Sequence, residues 1–483
     1  MPVFTLFSKS NPPFLMSTTP SSVLSAELAS QERKAAISLA MIYAFRMFGL
    51  FMILPVFALY AEHLPGATPL LMGLALGIYG LTQALLQIPF GMWSDRVGRK
   101  PVIFIGLLIF AAGSLIAGTA TNIEGIIVGR AIQGAGAIAS ALMALAADLS
   151  REEHRTKMMA TIGASIGLAF GSSMMLGPYF DGLVGIQGIF YGTAVLAFIG
   201  IIILFTLVPT PAVSHFHRDA EVNAATLGDV LKNTQLLRLD FGIFALHFVL
   251  MCLFLVLPLE LTDILQMDSA EHWKVYLPVL VASLVIMVPF IIIAEKKHKM
   301  KPVFNGAIAA LLLATLWFAV ITTETPHDAL AYQFIGALVL FFASFNLLEA
   351  SLPSLISKTS PATQKGTAMG VYSSSQFFGA FAGGAAGGWA HGHMGISGIF
   401  VVAFSVLVFW LVIALTMKKP ENLSTYLLNV GDATIEQLLA VRGVVEATLV
   451  EGENDEGPVA YLKVKKNILD EENLLSLAVT ARG

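Results

Sequence analysis

A stretch of about 20 apolar residues is long enough to cross a bilayer as one helix. This chain has twelve of them, near residues 36–60, 69–92, 101–120, 124–149, 157–181, 187–209, 239–264, 272–294, 302–323, 328–352, 364–391 and 396–418. A backbone in lipid must satisfy its own hydrogen bonds, so spans of this length are helices. Only 12% of the 483 residues are charged, against about 25% in soluble domains. The net charge of −4 therefore says little about partners in solution. Loop charge is more telling. The loops after even-numbered spans hold Arg96, Arg99, Lys100, Arg151, Arg155, Lys157, Arg218, Lys232, Arg238, Lys296, Lys297, Lys299, Lys301, Lys358 and Lys365, whereas the opposite loops hold Lys274. Cytoplasmic loops carry the cations, so both termini are expected in the cytoplasm.

Residues 1–35 are polar and rich in Ser and Pro, without the cationic start, apolar core and cleavage site of a secretory signal. They are expected to be a disordered cytoplasmic segment. The longest internal loop, a cytoplasmic linker over 210–238, divides the spans into halves, 36–209 and 239–420, of six each. The fifth span carries Gly163, Gly167 and Gly171, and the eleventh carries Gly379, Gly383 and Gly387 at the same spacing. Such stripes let helices approach closely. Gly177-Pro178 then predicts a kink in the fifth span.

From 421 to 483 the pattern changes to a soluble domain. Leu423–Val430 reads as a strand, Thr434 with Gln437 as a capping box opening a helix that Gly443 stops. Alternation at Val445–Leu449 and Ala460–Val464, around a polar turn at Glu451–Gly457, reads as a hairpin, and Asn473–Ala481 as a second helix. The order β-α-β-β-α resembles a ferredoxin-like fold lacking its last strand. Small metal-binding modules share that fold, but their paired cysteines are absent; the single cysteine, Cys252, lies in an apolar span. Eleven acids against five cations suggest that this domain docks on the basic cytoplasmic loops, and that salt weakens the docking.

The turn between the second and third spans, Gly91-Met-Trp-Ser-Asp95-Arg96-Val-Gly98-Arg99-Lys100, is a dense polar knot. A basic loop held in the cytoplasm accounts for its three cations. It does not account for an acid four residues before Arg99, or for the bracketing glycines. The pattern G-x-x-x-D-R-x-G-R-K resembles the signature loop between helices 2 and 3 of the major facilitator superfamily of transporters, with Trp93 where Leu is usual. The resemblance implies an all-α membrane protein of twelve transmembrane helices in two six-helix pseudo-symmetric halves around a midplane site, here with an added α+β ferredoxin-like cytoplasmic domain. It implies that Asp95 faces the start of the eleventh helix near Gln364–Thr367, where the positive end of the helix dipole favours an acid. Arg99 is expected to pair with Asp148 at the end of the fourth span. Gly91, Asp95, Arg96, Gly98, Arg99, Lys100 and Asp148 would then latch the cytoplasmic side shut. The fifth-span glycines ending in Gly177-Pro178 are similar to the motif of drug:proton antiporters, although Tyr179 and Phe180 replace the glycines that usually follow.

An ionisable side chain inside a span costs about 2.5–3.5 kcal/mol to insert, so each one is a candidate for function. Arg130 and Gln133 share a face of the fourth span, and Gly129–Gly136 resembles the superfamily's second motif, whose Arg is linked to proton coupling. Arg46 lies mid-way along the first span. Asn346 and Glu349 share a face of the tenth span, and His247 lies in the seventh. An acid buried away from water can hold a proton at neutral pH. Glu349 is therefore expected to carry the proton, with His247 the next candidate for that role and otherwise a core histidine bonded to a neighbouring helix. Tyr79, Gln83, Gln133, Asn346 and Gln376 are expected to line an otherwise apolar cavity suited to a lipophilic or amphipathic compound.

There is no phosphate loop, no metal-ligand spacing and no nucleophile with a partnered base. No enzyme activity, cofactor, metal or nucleic-acid partner is expected. The expected partners are a small-molecule substrate, protons and membrane lipid. The reading is a secondary transporter of a bacterial inner (cytoplasmic) membrane that exports such compounds in exchange for protons. The alternatives are a proton-coupled nutrient symporter or facilitator on the same fold, and a membrane sensor signalling through the terminal domain.

Overall fold

The computed structural model describes residues 20–210, 224–324, 327–361, 364–418, 424–430, 433–450, 458–465 and 468–477. The helices are α1 (Pro20–Phe51), α2 (Leu54–Ala61), α3 (Pro69–Val97), α4 (Arg99–Thr119), α5 (Ile123–Ala135), α6 (Ala139–Asp148), α7 (Glu152–Thr206), α8 (Ala224–Val230), α9 (Thr234–Phe254), α10 (Leu257–Leu265), α11 (Trp273–Lys296), α12 (Met300–Glu324), α13 (His327–Thr359) and α14 (Lys365–Leu415). Among the described residues, ten helical runs are long and apolar enough to cross a membrane. Two of these, Lys157–Thr206 and Lys365–Leu415, are 50 and 51 residues long. Each is broken by one glycine in a non-helical conformation, Gly185 at φ 66°, ψ 176° and Gly395 at φ 65°, ψ −162°. Glycine enters that region without steric cost, and both breaks fall where the hydropathy places a turn between spans.

The two parts of the chain repeat one another in local detail. The segment Phe51-Met-Ile-Leu54-Pro55 joins α1 to α2, and Phe254-Leu-Val-Leu257-Pro258 joins α9 to α10. In both, the proline enters the first turn of the new helix, where its missing N–H is no loss. Lys100 Nζ at the start of α4 donates to Val208 O, 2.6 Å, beyond the end of α7. Lys301 Nζ at the start of α12 donates to Met417 O, 2.6 Å, beyond the end of α14. Gly98 turns the chain at φ 102°, and His298 does so at φ 53°.

Several expectations need correction. Helix α1 begins at Pro20, inside the segment expected to be disordered; Leu24–Ala36 is rich in Ala, Leu and Glu, good helix formers. Residues 1–19 lie outside the described residues. The polar knot is not a loop: α3 stays helical through Val97, and Gly98 alone makes the turn. Residues 211–223 of the expected linker lie outside the described residues; 224–230 form α8, whose Thr226 Oγ1 meets Thr367 Oγ1 of α14 at 2.9 Å.

The glycine stripes also part company. A Cβ on Gly379 or Gly383 would come within 2.2 Å of the backbone oxygens of Phe244 and Phe248, so α14 lies directly on α9. Gly73, Gly77 and Gly80 of α3 give α14 an equally close approach, with a Cβ on Gly73 only 2.0 Å from Gly384 O. A Cβ on Gly163, Gly167 or Gly171 would meet nothing within 4 Å. They do not pack against a helix here. The face of α7 that meets α1 lies two residues further on: Ser165 Oγ donates to Ala40 O at 3.1 Å, Ser173 Oγ to Phe48 O at 3.2 Å, and Gly177 fits against Met52 O. Two residues are roughly 200° of helix, so the expected stripe points the other way. Gly383→Ala should therefore lower stability by about 1–3 kcal/mol, the usual cost of overpacking, while Gly167→Ala changes it little. Thermal unfolding in detergent checks the pair; equal effects would contradict this packing.

The C-terminal domain comprises β1 (Ser424–Asn429), α15 (Ile435–Ala440), β2 (Val444–Val450), β3 (Val459–Val464) and α16 (Glu471–Ser476). The three antiparallel strands run in the order β1-β3-β2. Thr434 and Gln437 form the expected reciprocal cap, and Gly443 takes φ 95°. Leu438, Ala460, Leu462, Val464 and Leu474 make a small core between helices and sheet. Glu421, Asp432, the turn at 451–457 with its acids, and Arg482 lie outside the described residues.

Candidate functional site

A cavity of about 1600 Å³ lies between the helices of the two repeated parts. Sites for drug-sized ligands usually hold about 300–1,000 Å³. Met47, Leu50 and Phe51 of α1 and Leu250 and Met251 of α9 supply apolar wall. The open glycines 163, 167 and 171 form a smooth strip of it along α7. The cavity extends to the end of the bundle that carries Asp95, Arg99, Lys358 and Lys365. At the other end the helices meet closely. A Cβ on Gly182 would lie 2.5 Å from that of Ala270, and Ser269 Oγ donates to Asp181 at 2.7 Å.

One polar group sits on the α9, α13 and α14 side. Gln376 Nε2 donates to His247 Nε2 at 2.8 Å and to Glu349 Oε1 at 3.3 Å. His247 Nδ1 is 3.3 Å from Ile243 O, one turn back along its own helix, and 3.9 Å from Glu349 Oε2. A neutral imidazole protonated at Nδ1 fits both of its hydrogen bonds. Glu349 Oε2 has no hydrogen-bond partner among the described residues. Asn346, on the same face of α13, donates to Ser283 Oγ of α11 at 3.0 Å. Glu349, Asn346, Gln376 and His247 all line the cavity.

The opposite side holds buried cations. Arg130 is 1% exposed. It donates to Ala75 O at 3.4 Å, to Leu76 O at 3.3 Å and to Gln133 Oε1 at 3.3 Å. Its Cζ stands 5.2 Å from the centre of the Tyr79 ring, within range of a cation–π attraction. Arg46, also buried, donates from Nη2 to Gln83 Oε1 and stands 5.8 Å from the same ring. Its Nε and Nη1 have no partner among the described residues. Gln83 passes the chain on to Gln87 Oε1, 2.9 Å, and Gln133 to Ser114 Oγ, 2.7 Å.

Tyr79, Asn346 and Gln376 thus line the cavity as expected, whereas Gln83 and Gln133 do not. Both amides sit behind the wall, their oxygens accepting from Arg46 and Arg130, which make no ion pair among the described residues. Neither arginine reaches Glu349 through a hydrogen bond among the described residues. Sequence reading overlooked Gln87 and Tyr372, which line the cavity, and Asp240, which is buried in α9. The spacing of Asp240 and His247, seven residues or two helical turns apart, was the available signal.

At the far end of the cavity Arg99 Nε donates to Asp148 Oδ2 at 3.2 Å, and Nη1 to Ser94 Oγ at 2.9 Å and to Asp95 Oδ1. The side chains of Arg99 and Asp148 are 2% and 0% exposed, that of Asp95 29%. The cluster joins α3, α4 and α6. Lys100 points elsewhere, to the end of α7, and Arg96 is exposed. Gly91 lets α3 approach Ser140, whose Cβ would lie 3.0 Å from an added methyl. Asp95 and Lys365 both line the cavity.

The C-terminal domain reaches the same place. Tyr461 and Lys463 of β3 line the cavity. Lys463 Nζ donates to Ser360 O, just past the end of α13, and lies 3.5 Å from Glu446 of β2. A cation at a helix C-terminus meets the negative end of its dipole. This contact has the opposite sign to the acid-on-base docking expected from net charge.

Residues 39–383 match the profile of the Major Facilitator Superfamily. The chain is 44% identical over 445 residues to the inner membrane transport protein YajR of Escherichia coli, covering 90% of this chain and 95% of that protein. A shorter likeness, 31% over 179 residues, covers 35% of the chain and 43% of multidrug resistance protein 2 of Bacillus subtilis. The fold resembles a crystallised bacterial homologue of the human lysosomal transporter Spinster in an inward-facing, occupied conformation. The TM-score is 0.62 at 14% identity, with 79% of this chain and 95% of that one covered.

Proposed function

The chain belongs to the major facilitator superfamily of secondary transporters, and on that premise we propose that it exports a lipophilic or amphipathic compound in exchange for protons. The observation that carries this reading is the cavity: about 1600 Å³, largely apolar, with the carboxylate of Glu349 in its wall, hydrogen-bonded through Gln376 to His247. An apolar wall recognises the compound by surface burial. An acid in such a place changes charge with its proton and so gives the two halves a reason to move. The partial likeness to a multidrug resistance protein supports export. The membrane is the bacterial inner membrane, as in the name of the YajR relative, with both termini cytoplasmic under the charge bias of the loops.

We read the chain as twelve spans, because Gly185 and Gly395 each divide one long run into two. The halves are 36–209 and 239–420, followed by the domain 421–483. The paired features Lys100 and Lys301, and the two Leu-Pro joints, support pseudo-symmetry. With the basic loops in the cytoplasm, the cavity extends to the cytoplasmic end, and the state is inward-facing. The test of direction is dye efflux from vesicles with an imposed proton gradient. Accumulation of the dye under that gradient, instead of expulsion, would favour the symporter.

The terminal domain covers part of this cytoplasmic mouth through Tyr461 and Lys463. Cysteines placed at Ser357 and Tyr461, both on the cavity wall, should crosslink through a short bifunctional thiol reagent; native Cys252 is buried. Because Lys463 is only 7% exposed, the yield should survive salt well above about 0.15 M, where attraction between exposed charges is screened. A yield that falls steeply with salt would assign the docking to the acidic surface instead.

A further inference from the structure

Asp240 lies near the start of α9, seven residues before His247 and on the same face of the helix. It is 5% exposed, and neither carboxylate oxygen has a hydrogen-bond partner among the described residues. It is absent from the ion pairs of those residues as well. A bare carboxylate in such a place is costly, and groups so placed neutralise instead of staying charged. Titratable company comes from the helices packed on α9. Helix α14 runs along α9 with Gly379 against Phe244 and Gly383 against Phe248, a register that sets Tyr372 level with the start of α9, and Tyr372 is one turn from Gln376, which donates to Glu349 of α13. The Tyr372 hydroxyl is also buried and without a partner among the described residues. His247 on α9 itself is tied to Gln376. Three orphaned polar ends, Asp240, Tyr372 and Glu349 Oε2, thus fall on the adjoining helices α9, α14 and α13, whereas the buried cations Arg46 and Arg130 fall on α1 and α5.

We propose that Asp240 is a second proton-binding residue, coupled to Glu349 through the Tyr372 they share. Asp240 lies on the cytoplasmic side of His247, as the chain enters α9 from the loop of Lys232. A proton bound at Asp240 removes one negative charge beside Tyr372 and so alters how readily Glu349 holds its own. The half from α9 to α14 then carries two exchangeable protons where the sequence suggested one.

Infrared pH-difference spectra of the full chain in lipid vesicles read this without any substrate. Protonated carboxyl groups absorb apart from carboxylates, and 13C labelling of aspartate alone moves only aspartate bands. We expect two bands that titrate in the neutral range, one sensitive to aspartate label and lost in Asp240→Asn, the other sensitive to glutamate label and lost in Glu349→Gln. Tyr372→Phe keeps both bands and moves their midpoints. An unmutated, aspartate-labelled protein with no such titrating band would overturn the proposal, whatever the stability of the variant. The inference deepens the proton-coupling reading but fails separately from it. Loss of the aspartate band leaves the glutamate band, and with it that reading, in place.

Discussion

Glu349→Gln should abolish proton-driven transport while leaving the protein folded and the cavity intact. The amide has nearly the shape of the acid. Its oxygen can still accept from Gln376 Nε2, now 3.3 Å from Glu349 Oε1. What it cannot do is gain and lose a proton. One charge moving down 100 mV supplies about 2.3 kcal/mol, which holds a gradient of roughly fifty-fold for a neutral solute. The variant should let that gradient decay to equality, and efflux should lose its dependence on external pH. Vesicle efflux measured at two imposed pH gradients checks both. An unchanged pH dependence would move the role to His247. The hydrogen bonding of His247 argues the other way: with Nδ1 directed at Ile243 O and Nε2 accepting from Gln376, it is a satisfied neutral group that positions the amide. His247→Asn should consequently weaken transport without removing its pH dependence.

The spans were legible because hydropathy acts on every residue of a helix in lipid, and the β-α-β-β-α order of the terminal domain was legible from alternation and the Thr434 cap. What the sequence could not place was the facing of side chains around each helix. Gly163, Gly167 and Gly171 have the same spacing as Gly379, Gly383 and Gly387, yet one stripe faces empty cavity and the other lies on a neighbour's backbone. Spacing fixes that residues share a face; only packing decides what the face meets. The same limit moved Gln83 and Gln133 from the cavity wall to the arginines behind it. Net charge did not point to the contact of Lys463. The acids of the terminal domain outnumber its bases, yet among the described residues a lysine of β3 reaches a carbonyl just past α13, a contact set by local geometry.

Asp95→Asn should cut transport severely by depleting the state in which the cytoplasmic side is shut, without loosening the fold. Arg99 keeps Asp148 and Ser94 as partners, so α3, α4 and α6 stay joined. Removing Asp148 instead strips the acid with a fully buried side chain from a buried guanidinium, a loss of about 3–5 kcal/mol in comparable pairs. Asp148→Asn should therefore lower the unfolding temperature, and Asp95→Asn should not. We propose that the role of Asp95 lies in a contact with the start of α14 made when the cytoplasmic ends close. Here it holds Arg99 and lines the cavity together with Lys365 and Gly366 at the start of α14. When the ends close, that helix start offers the positive end of its dipole. An acid there is worth about 0.3–1 kcal/mol, or up to about 2 if partly buried, and 2 kcal/mol is close to a thirty-fold shift between the two states. The charge matters and the shape does not, so Asp95→Glu should recover part of the transport that Asp95→Asn loses. A cysteine at Ser357 on the cavity wall reports the populations through its reaction with a thiol reagent supplied from the cytoplasmic side. Faster labelling in Asp95→Asn than in the parent is the expected result; labelling at the parent rate would leave Asp95 as one more charge that fixes the topology of a short turn.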